Sequence, residues 1–321
     1  YPGQLKKTNC IYFEDNLLIG TNDYPIAIKN IQIEGKHNKP ILCDLFFQDD
    51  QKPKPVVIFC HGYKGFKDWG AWDKMAETFA EKGYFFVKFN FSHNGTTPEN
   101  PTEFLDIEAF GDNNYSIELD DLQSVIDWLL VPDFPDAIQI DVSHINLIGH
   151  SRGGAIAIIK AANEKRITRL VTFAAPTDLG AKFPTGKDLE KWEKKGVQYI
   201  VNTRTKQQLP HHYQFYKNYK ENKERLNVKN ATKKLEIPHL IAHGSNDTTV
   251  SISCSGELFE WSPISKLLLV ENANHVFEAS HPWEKEDLPE KFQYLLDRTF
   301  PFIAAEVQDL IDEYGDNDDD N

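Results

Sequence analysis

The chain has 321 residues, 40% of them hydrophobic, which suffices for one large α/β domain or two ordinary ones with a full core. Lys and Arg number 35 against 49 Asp and Glu, a formal net charge of −14, which argues against nucleic acid as a partner. No apolar run approaches the roughly 18 residues that a spanning helix needs, so no membrane span is expected.

Residues 1–40 read as antiparallel edge strands: "IAIKNIQIEG" alternates and "GKHNKP" turns the chain. From residue 40 to 175, short apolar runs switch with longer amphipathic ones, as in a doubly wound, mostly parallel sheet covered by helices on both faces. The expected strands are "ILCDLFF" (41–47), "VVIFC" (56–60), "YFFVKFNF" (84–91), "INLIG" (145–149) and "RLVTFAA" (169–175). Their near-continuous apolarity suits strands buried on both sides. Helices are expected over 71–82, 115–130 and 152–164, the second carrying Leu119, Leu122, Val125, Ile126 and Leu129 along one face. Asn114 or Ser116 is placed to cap it, with Glu118 closing a capping pair.

The rhythm breaks after "FAAPTD". The stretch 177–235 is too long for a plain connection and reads as a small, mostly helical cap inserted into a single domain spanning 1–313. A strand (238–244), a helix (254–261), a strand (265–271) and a helical region (285–313) follow, and residues 314–321 form an acidic tail expected to be disordered. Cys10, Cys43, Cys60 and Cys254 are scattered without a C-x-x-C pair, so neither a zinc ribbon nor a redox motif is indicated. Reduced thiols and a cytoplasmic setting are favoured, with a removed export signal as the alternative because numbering begins at Tyr1.

Gly149-His150-Ser151-Arg152-Gly153 has the G-x-S-x-G form between an apolar strand and the small-residue helix "GGAIAIIKAA". A glycine-rich structural turn would share that pattern, so the partners decide. Asp247 lies in "HLIAHGSNDTTV", three residues past the glycine ending a strand, and His275 lies in "LLLVENANHVF" just past the next. Nucleophile, acid and base thus come in order, each at a strand end. A serine hydroxyl needs a base to take its proton, a neutral imidazole is such a base, and a carboxylate on the other ring nitrogen holds its tautomer.

With these residues the chain resembles the α/β-hydrolase superfamily, near its dienelactone-hydrolase-like, cinnamoyl-esterase-like and prolyl-oligopeptidase-like branches. The marks are "FCHGYKG", "GHSRGG", "HGSNDTTV" and "NANHVF". The resemblance implies an α/β-hydrolase fold over roughly 40–300 and an oxyanion hole from the backbone N–H groups of Tyr63 and Arg152. His61 and His150 read as structural. His93, Asn94 and Phe91 follow a strand at the expected site edge, and Trp192, Tyr199, Arg204, His212, Tyr213 and Tyr216 of the cap are candidate substrate contacts. No metal-ligand spacing occurs and no cofactor is expected. The expected activity is hydrolysis of a small to medium carboxylic ester, with a peptidase or amidase of the same fold, or a non-catalytic binding protein, as alternatives. Oligomeric state is not legible.

Overall fold

The computed structural model describes residues 11–13, 25–131 and 137–315. Cys10, most of the first 24 residues and the acidic tail from 316 onward lie outside the described residues. In chain order the elements are β1 (Ile11–Phe13), β2 (Ile26–Glu34), β3 (Pro40–Phe47), β4 (Lys54–Cys60), α1 (Trp72–Glu81), β5 (Phe85–Asn90), α2 (Ile107–Asp112), α3 (Tyr115–Leu129), β6 (Ile140–His150), α4 (Arg152–Ala161) and β7 (Ile167–Phe173). Then come α5 (Gly186–Lys195), β8 (Val197–Val201), β9 (Gln208–His212), α6 (Gln214–Glu221), α7 (Val228–Lys233), β10 (His239–Gly244), α8 (Ser253–Trp261), β11 (Ser265–Val270), α9 (Glu290–Ala304) and α10 (Val307–Tyr314).

The main sheet has the order β1-β2-β3-β5-β4-β6-β7-β10-β11. Only β3 runs against its neighbours β2 and β5, so the expectation of a mostly parallel doubly wound sheet holds. The antiparallel reading of the first edge is corrected in one respect: β1 pairs with β2 in parallel. A parallel pair needs a long connection, and twelve residues separate these two strands, whereas the short "GKHNKP" turn makes β2 and β3 a hairpin. The alternation of β2 also slips between Ile28 and Ile31, where Asn30 takes φ 60° and its N–H donates to Asp44 Oδ1 at 2.8 Å.

Successive residues of the central strands feed two different cores. Val56, Ile58, Val87 and Phe89 pack with the predicted stripe of α3, Leu119, Leu122, Val125, Ile126 and Leu129, and with α4. Val57, Phe59 and Phe86 pack on the opposite face with Trp72, Met75 and Phe79 of α1 and Phe292, Leu295 and Leu296 of α9. Burying both faces explains why these strands read as continuous apolar runs. Each large side chain so buried contributes about 1.5–3 kcal/mol. The helical region predicted over 285–313 is two helices, broken where Ala305 takes up extended backbone. No helix among the described residues is long and apolar enough to cross a membrane.

The stretch between β7 and β10 contains α5, α6 and α7, but also an antiparallel hairpin, β8 with β9. Its strands are five residues each, one containing Pro210, too short for periodicity to register against the surrounding polar sequence. The insertion is bound to α3 by Ser116 Oγ donating to Asn218 Oδ1 at 2.8 Å, Asn114 Nδ2 to Gln214 Oε1 at 2.9 Å, and Tyr115 OH to the Leu179 carbonyl at 2.8 Å.

The described residues also contain a buried ion cluster. Asp44 Oδ2 accepts from Lys67 Nζ and Lys88 Nζ, both at 2.8 Å, and all three side chains are fully buried. Asp68 takes the same two ammonium groups on its two oxygens, at 2.6 Å from Lys67 and 2.5 Å from Lys88. The carboxylates of Asp44, Asp68 and Asp73 come within 4.8 Å of one another, but Lys29, at 2.5 Å from Asp73, joins Lys67 and Lys88, so three ammonium groups balance three carboxylates. Removing one partner of such a set strands a buried charge. Lys88→Met should therefore lower unfolding free energy by about 3–5 kcal/mol, measured by urea denaturation; a change below about 1 kcal/mol would mean the cluster behaves like surface ion pairs.

Candidate active site

Ser151 is the junction between β6 and α4 and takes φ 55° and ψ −125°. Positive φ in a non-glycine residue costs free energy and persists only when the surroundings over-determine it. Here they do. A Cβ on Gly149 would lie 2.4 Å from the Gly153 carbonyl oxygen, and one on Gly153 would lie 2.4 Å from that of Cys60 and 2.5 Å from that of His61. The strand end, the helix start and the end of β4 therefore pack with no room for side chains at these two positions. The Ser151 N–H donates to the Phe173 carbonyl at 2.8 Å, fixing the turn against β7.

His275 follows β11 and turns its ring toward that junction. Its Nε2 lies 3.0 Å from Ser151 Oγ and its Nδ1 lies 2.7 Å from Asp247 Oδ2. The His275 side chain is 16% exposed while that of Asp247 is fully buried, so the hydroxyl and imidazole face an accessible surface and the acid does not. Burial alone would raise the Asp247 carboxyl. Hydrogen bonds from His243, His275 and the Val250 N–H outweigh it and hold the group well below the usual carboxylate range. The Thr249 and Val250 N–H groups both donate to Oδ1, at 2.7 and 3.0 Å, and His243 Nε2 lies 3.2 Å from Oδ2. The carboxylate thus stays ionised and aimed at the imidazole.

Two more histidines shape the site without joining this relay. His150 Nε2 lies 2.9 Å from the His275 carbonyl oxygen and its ring sits 4.8 Å from that of His275, so it pins the backbone that carries the imidazole. Burial, with the nearby His275, lowers its pKa to about 3. His61 Nδ1 bonds the Gly62 carbonyl oxygen at 2.9 Å inside the loop that leads to Tyr63, and burial lowers its pKa to about 4. The Gly62 position faces Ser151 directly, where an added Cβ would lie 3.0 Å from the serine Cβ, which brings Tyr63 beside the junction. Arg152 is the first residue of α4, where backbone N–H groups have no partner within the helix.

A family model described as the alpha/beta hydrolase fold matches residues 55–199. The chain has the α/β-hydrolase fold. The structure of Est1E from Butyrivibrio proteoclasticus with ferulic acid bound has that architecture too, with a TM-score of 0.64 at 17% identity over 86% of this chain and all of that one. Among curated proteins, the chain is similar to one named "Putative esterase/lipase 2" from Mycoplasma genitalium, 29% identical over 36% of this chain and 35% of that protein. It is also similar to the quorum-quenching protein AidA of Acinetobacter baumannii, 24% identical over 49% and 47%. The matches thus span between a third and a half of those relatives.

The hydrolase fold places the remaining candidates variously. His93 and Asn94 are buried, His93 Nδ1 lying 2.8 Å from Ser92 Oγ and Asn94 Oδ1 accepting from Thr96, so these atoms are committed within the loop; Phe91 packs on His61 and Phe89. Trp192 is no surface contact: it is 2% exposed, its Nε1–H donates to the His211 carbonyl at 2.8 Å, and Tyr213, edge-on, and Tyr216, tilted, pack around it as the small core of the insertion. A large aromatic in a short insertion is needed for packing first. Arg204 is exposed, its guanidinium 5.7 Å from the Phe66 ring, Tyr199 points to solvent at 61% exposure, and His212 pairs with Asp112 at 2.7 Å. Asn114 does cap α3, accepting from the Ile117 N–H at 3.0 Å, but Glu118 closes no capping pair; its Oε1 accepts from Arg152 and from Asn113. Sequence reading missed Glu118, His211 and His243 as site neighbours. The first syllable of "HGSND" holds His243, and its i, i+4 spacing to Asp247 was a usable signal. A cavity of about 510 Å³ lined by Glu278, Ser280, Trp283 and Glu290 lies further along the chain and does not include Ser151.

Burial holds His61, His150, His211 and His239 neutral, with pKa values lowered to about 4, 3, 3 and 3. The unfolded chain takes up protons on all four below about pH 6.5, so the folded state binds fewer and stability falls as pH drops from there. Asp121, raised by burial to about 7, runs the other way: its contribution is present below the unfolded carboxyl pKa and lost as pH rises toward 7. Four groups against one give a net loss on acidification. The urea midpoint should therefore fall between pH 7 and pH 5; a midpoint that holds or rises would contradict the burial of these rings in neutral form.

Proposed function

We propose that the protein is a serine hydrolase of small to medium carboxylic esters. The observation that carries this reading is the unbroken path of hydrogen bonds Asp247–His275–Ser151, with the hydroxyl on an accessible strained turn. Ser151 Oγ attacks the ester carbonyl carbon while His275 Nε2 accepts its proton. The carbonyl oxygen becomes an oxyanion stabilised by the backbone N–H groups of Tyr63 and Arg152, each worth up to about 3–4 kcal/mol when aimed at the developing charge. Collapse expels the alcohol, which takes the proton from His275, and leaves an acyl group on Ser151. Water then repeats the attack, giving its proton to His275 and releasing the acid and the free hydroxyl.

The similarity to a curated protein named a putative esterase/lipase supports ester rather than amide chemistry. The insertion is rich in Lys, Tyr and Gln, unlike a lid that would expose aliphatic side chains to lipid, and this supports short substrates over long-chain ones.

An alkyl fluorophosphonate should label the folded protein at Ser151. Ser151→Ala should fold normally, lose labelling, and lose at least about a thousandfold in kcat/KM on short nitrophenyl esters. A wild-type protein that resists the probe, or a variant that keeps its rate, would overturn the reading. Faster turnover of aminoacyl arylamides than of matched esters would redirect it to amide substrates.

A further inference from the structure

The residue after Ser151 carries a side chain whose placement the reaction above does not use. The Arg152 guanidinium lies 3.9 Å from the centre of the Tyr63 ring, with Tyr115 at 5.2 Å and Phe215 at 5.5 Å. Its Nη1 donates to Glu118 Oε1 at 3.2 Å. Glu118 Oε2 is buried without a hydrogen-bond partner, whereas no guanidinium nitrogen of Arg152 is in that state. The Nε and Nη2 edge therefore keeps contact with solvent, and the Arg152 side chain as a whole is 15% exposed.

A second cation shares the same ring. Lys64 Nζ lies 5.5 Å from the centre of Tyr63, and Lys64 has no ion-pair partner among the described residues. Lys182 Nζ stands nearby, on the Thr249 carbonyl at 3.2 Å, beside Asp247. Burial first, then the charges of Lys182 and Arg152, lower the Lys64 pKa, so both cations are close enough to be felt at Lys64. In a chain of net charge −14, Arg152 and Lys64 at one ring with Glu118 as the paired anion leave one positive charge uncompensated there, a local reversal of sign. Such a reversal attracts anions and raises their local concentration.

We propose that Arg152 and Lys64, on the Tyr63 ring beside Ser151, form an anion subsite that selects esters bearing a carboxylate. A planar guanidinium with an open two-nitrogen edge suits a carboxylate in bidentate fashion. The ammonium supplies a second, less directional charge. Glu118 orients the guanidinium and, by offsetting part of its charge, limits how tightly the product acid is held. This inference rests on the serine-hydrolase reading for its kinetic readout but not for its binding readout.

The test compares kcat/KM for 4-nitrophenyl hemisuccinate with 4-nitrophenyl butyrate, and for 3-acetoxybenzoate with phenyl acetate, placing the carboxylate on the acyl and on the alcohol side. At least one pair should favour the anionic member by about tenfold or more, mainly through KM and less at high salt. Arg152→Gln combined with Glu118→Gln, which leaves no stranded charge, should reduce that ratio about tenfold, and Lys64→Gln about threefold, while Arg152→Lys retains part of it. Glu118→Gln alone should raise the ratio, an effect that loss of packing would not produce. Binding of glutarate to the Ser151→Ala protein, followed by calorimetry, should weaken in the same order. If neither ester pair shows an anionic preference, or if the ratios are indifferent to these substitutions, the subsite is refuted even where fluorophosphonate labelling succeeds. If labelling fails yet glutarate binds in that order, the hydrolase reading falls and the subsite stands.

Discussion

The left-handed backbone of Ser151 is the constraint on which the rest of the site depends. A serine in an ordinary helix start would lie along the groove between β6 and α4, with its hydroxyl turned to the first free N–H groups of the helix. The positive φ throws the side chain outward and leaves those donors uncommitted. That geometry is possible only because β6 and α4 meet at glycines. Any Cβ at Gly149 or Gly153 would overlap backbone atoms, which have no rotamer by which to move aside. The strain is held by ordinary forces elsewhere: the Ser151 N–H bond to β7, and the apolar packing of β6 and α4 on the α3 side of the sheet.

Around His275 one group, Asp247, is an anion, and the buried histidines His150 and His61 are neutral. Asp247 is kept ionised by donors converging from its own loop and from His243. Buried His150 and His61 are kept neutral by desolvation, so they hold backbone in place without competing with His275 for the carboxylate. Behind the loop that carries Tyr63, the chain runs straight into Lys67 and Asp68 of the buried ion cluster, and the Lys67 N–H donates to Asn90 Oδ1 at 2.6 Å. The loop is thus anchored at both ends, by His61 at its start and by charges sealed beneath β3 and β5 at its finish. An anchor of that kind contributes little net stability, since desolvating the charges offsets their attraction. Its effect is to leave the loop one arrangement.

How much was legible follows from the range of each interaction. The sheet strands and α3 were readable because two-sided burial and helical spacing leave a mark in every few residues. Ser151, Asp247 and His275 were readable because each sits at a strand end with a local signature, although the distances between them are set by the register of β6, β7, β10 and β11 and appear in no local pattern. The ion cluster was not readable: Lys67 and Lys88 look like loop and strand-edge polar residues until β3 brings Asp44 between them. Trp192 was misplaced for a related reason, since an aromatic near a site looks the same in sequence whether it faces a ligand or its own insertion. The β8–β9 hairpin escaped because its apolar face is short, and its Leu209 is buried against Phe66, Phe104 and Phe110, which lie outside the insertion.

The insertion and the loop after β4 meet at the Tyr63 ring, and this gives the insertion a mechanical consequence. Tyr63 OH lies 2.7 Å from His211 Nε2, and burial keeps His211 neutral, its pKa lowered to about 3, so the ring nitrogen can accept a hydrogen bond from the phenol O–H. Arg152 is a second tie: its guanidinium packs on Tyr63 and lies 5.5 Å from the Phe215 ring of α6. A displacement of the hairpin would therefore pull on Tyr63 through a directional hydrogen bond, and a displacement of α6 would disturb the stack that lies over the same residue. The backbone of Tyr63 cannot respond freely, because Gly62 is wedged against Ser151 and His150 with an added Cβ at 3.0 and 3.1 Å. Rigid on the side of the sheet and tethered on the side of the insertion, Tyr63 transmits the position of the roof to the atoms nearest the serine.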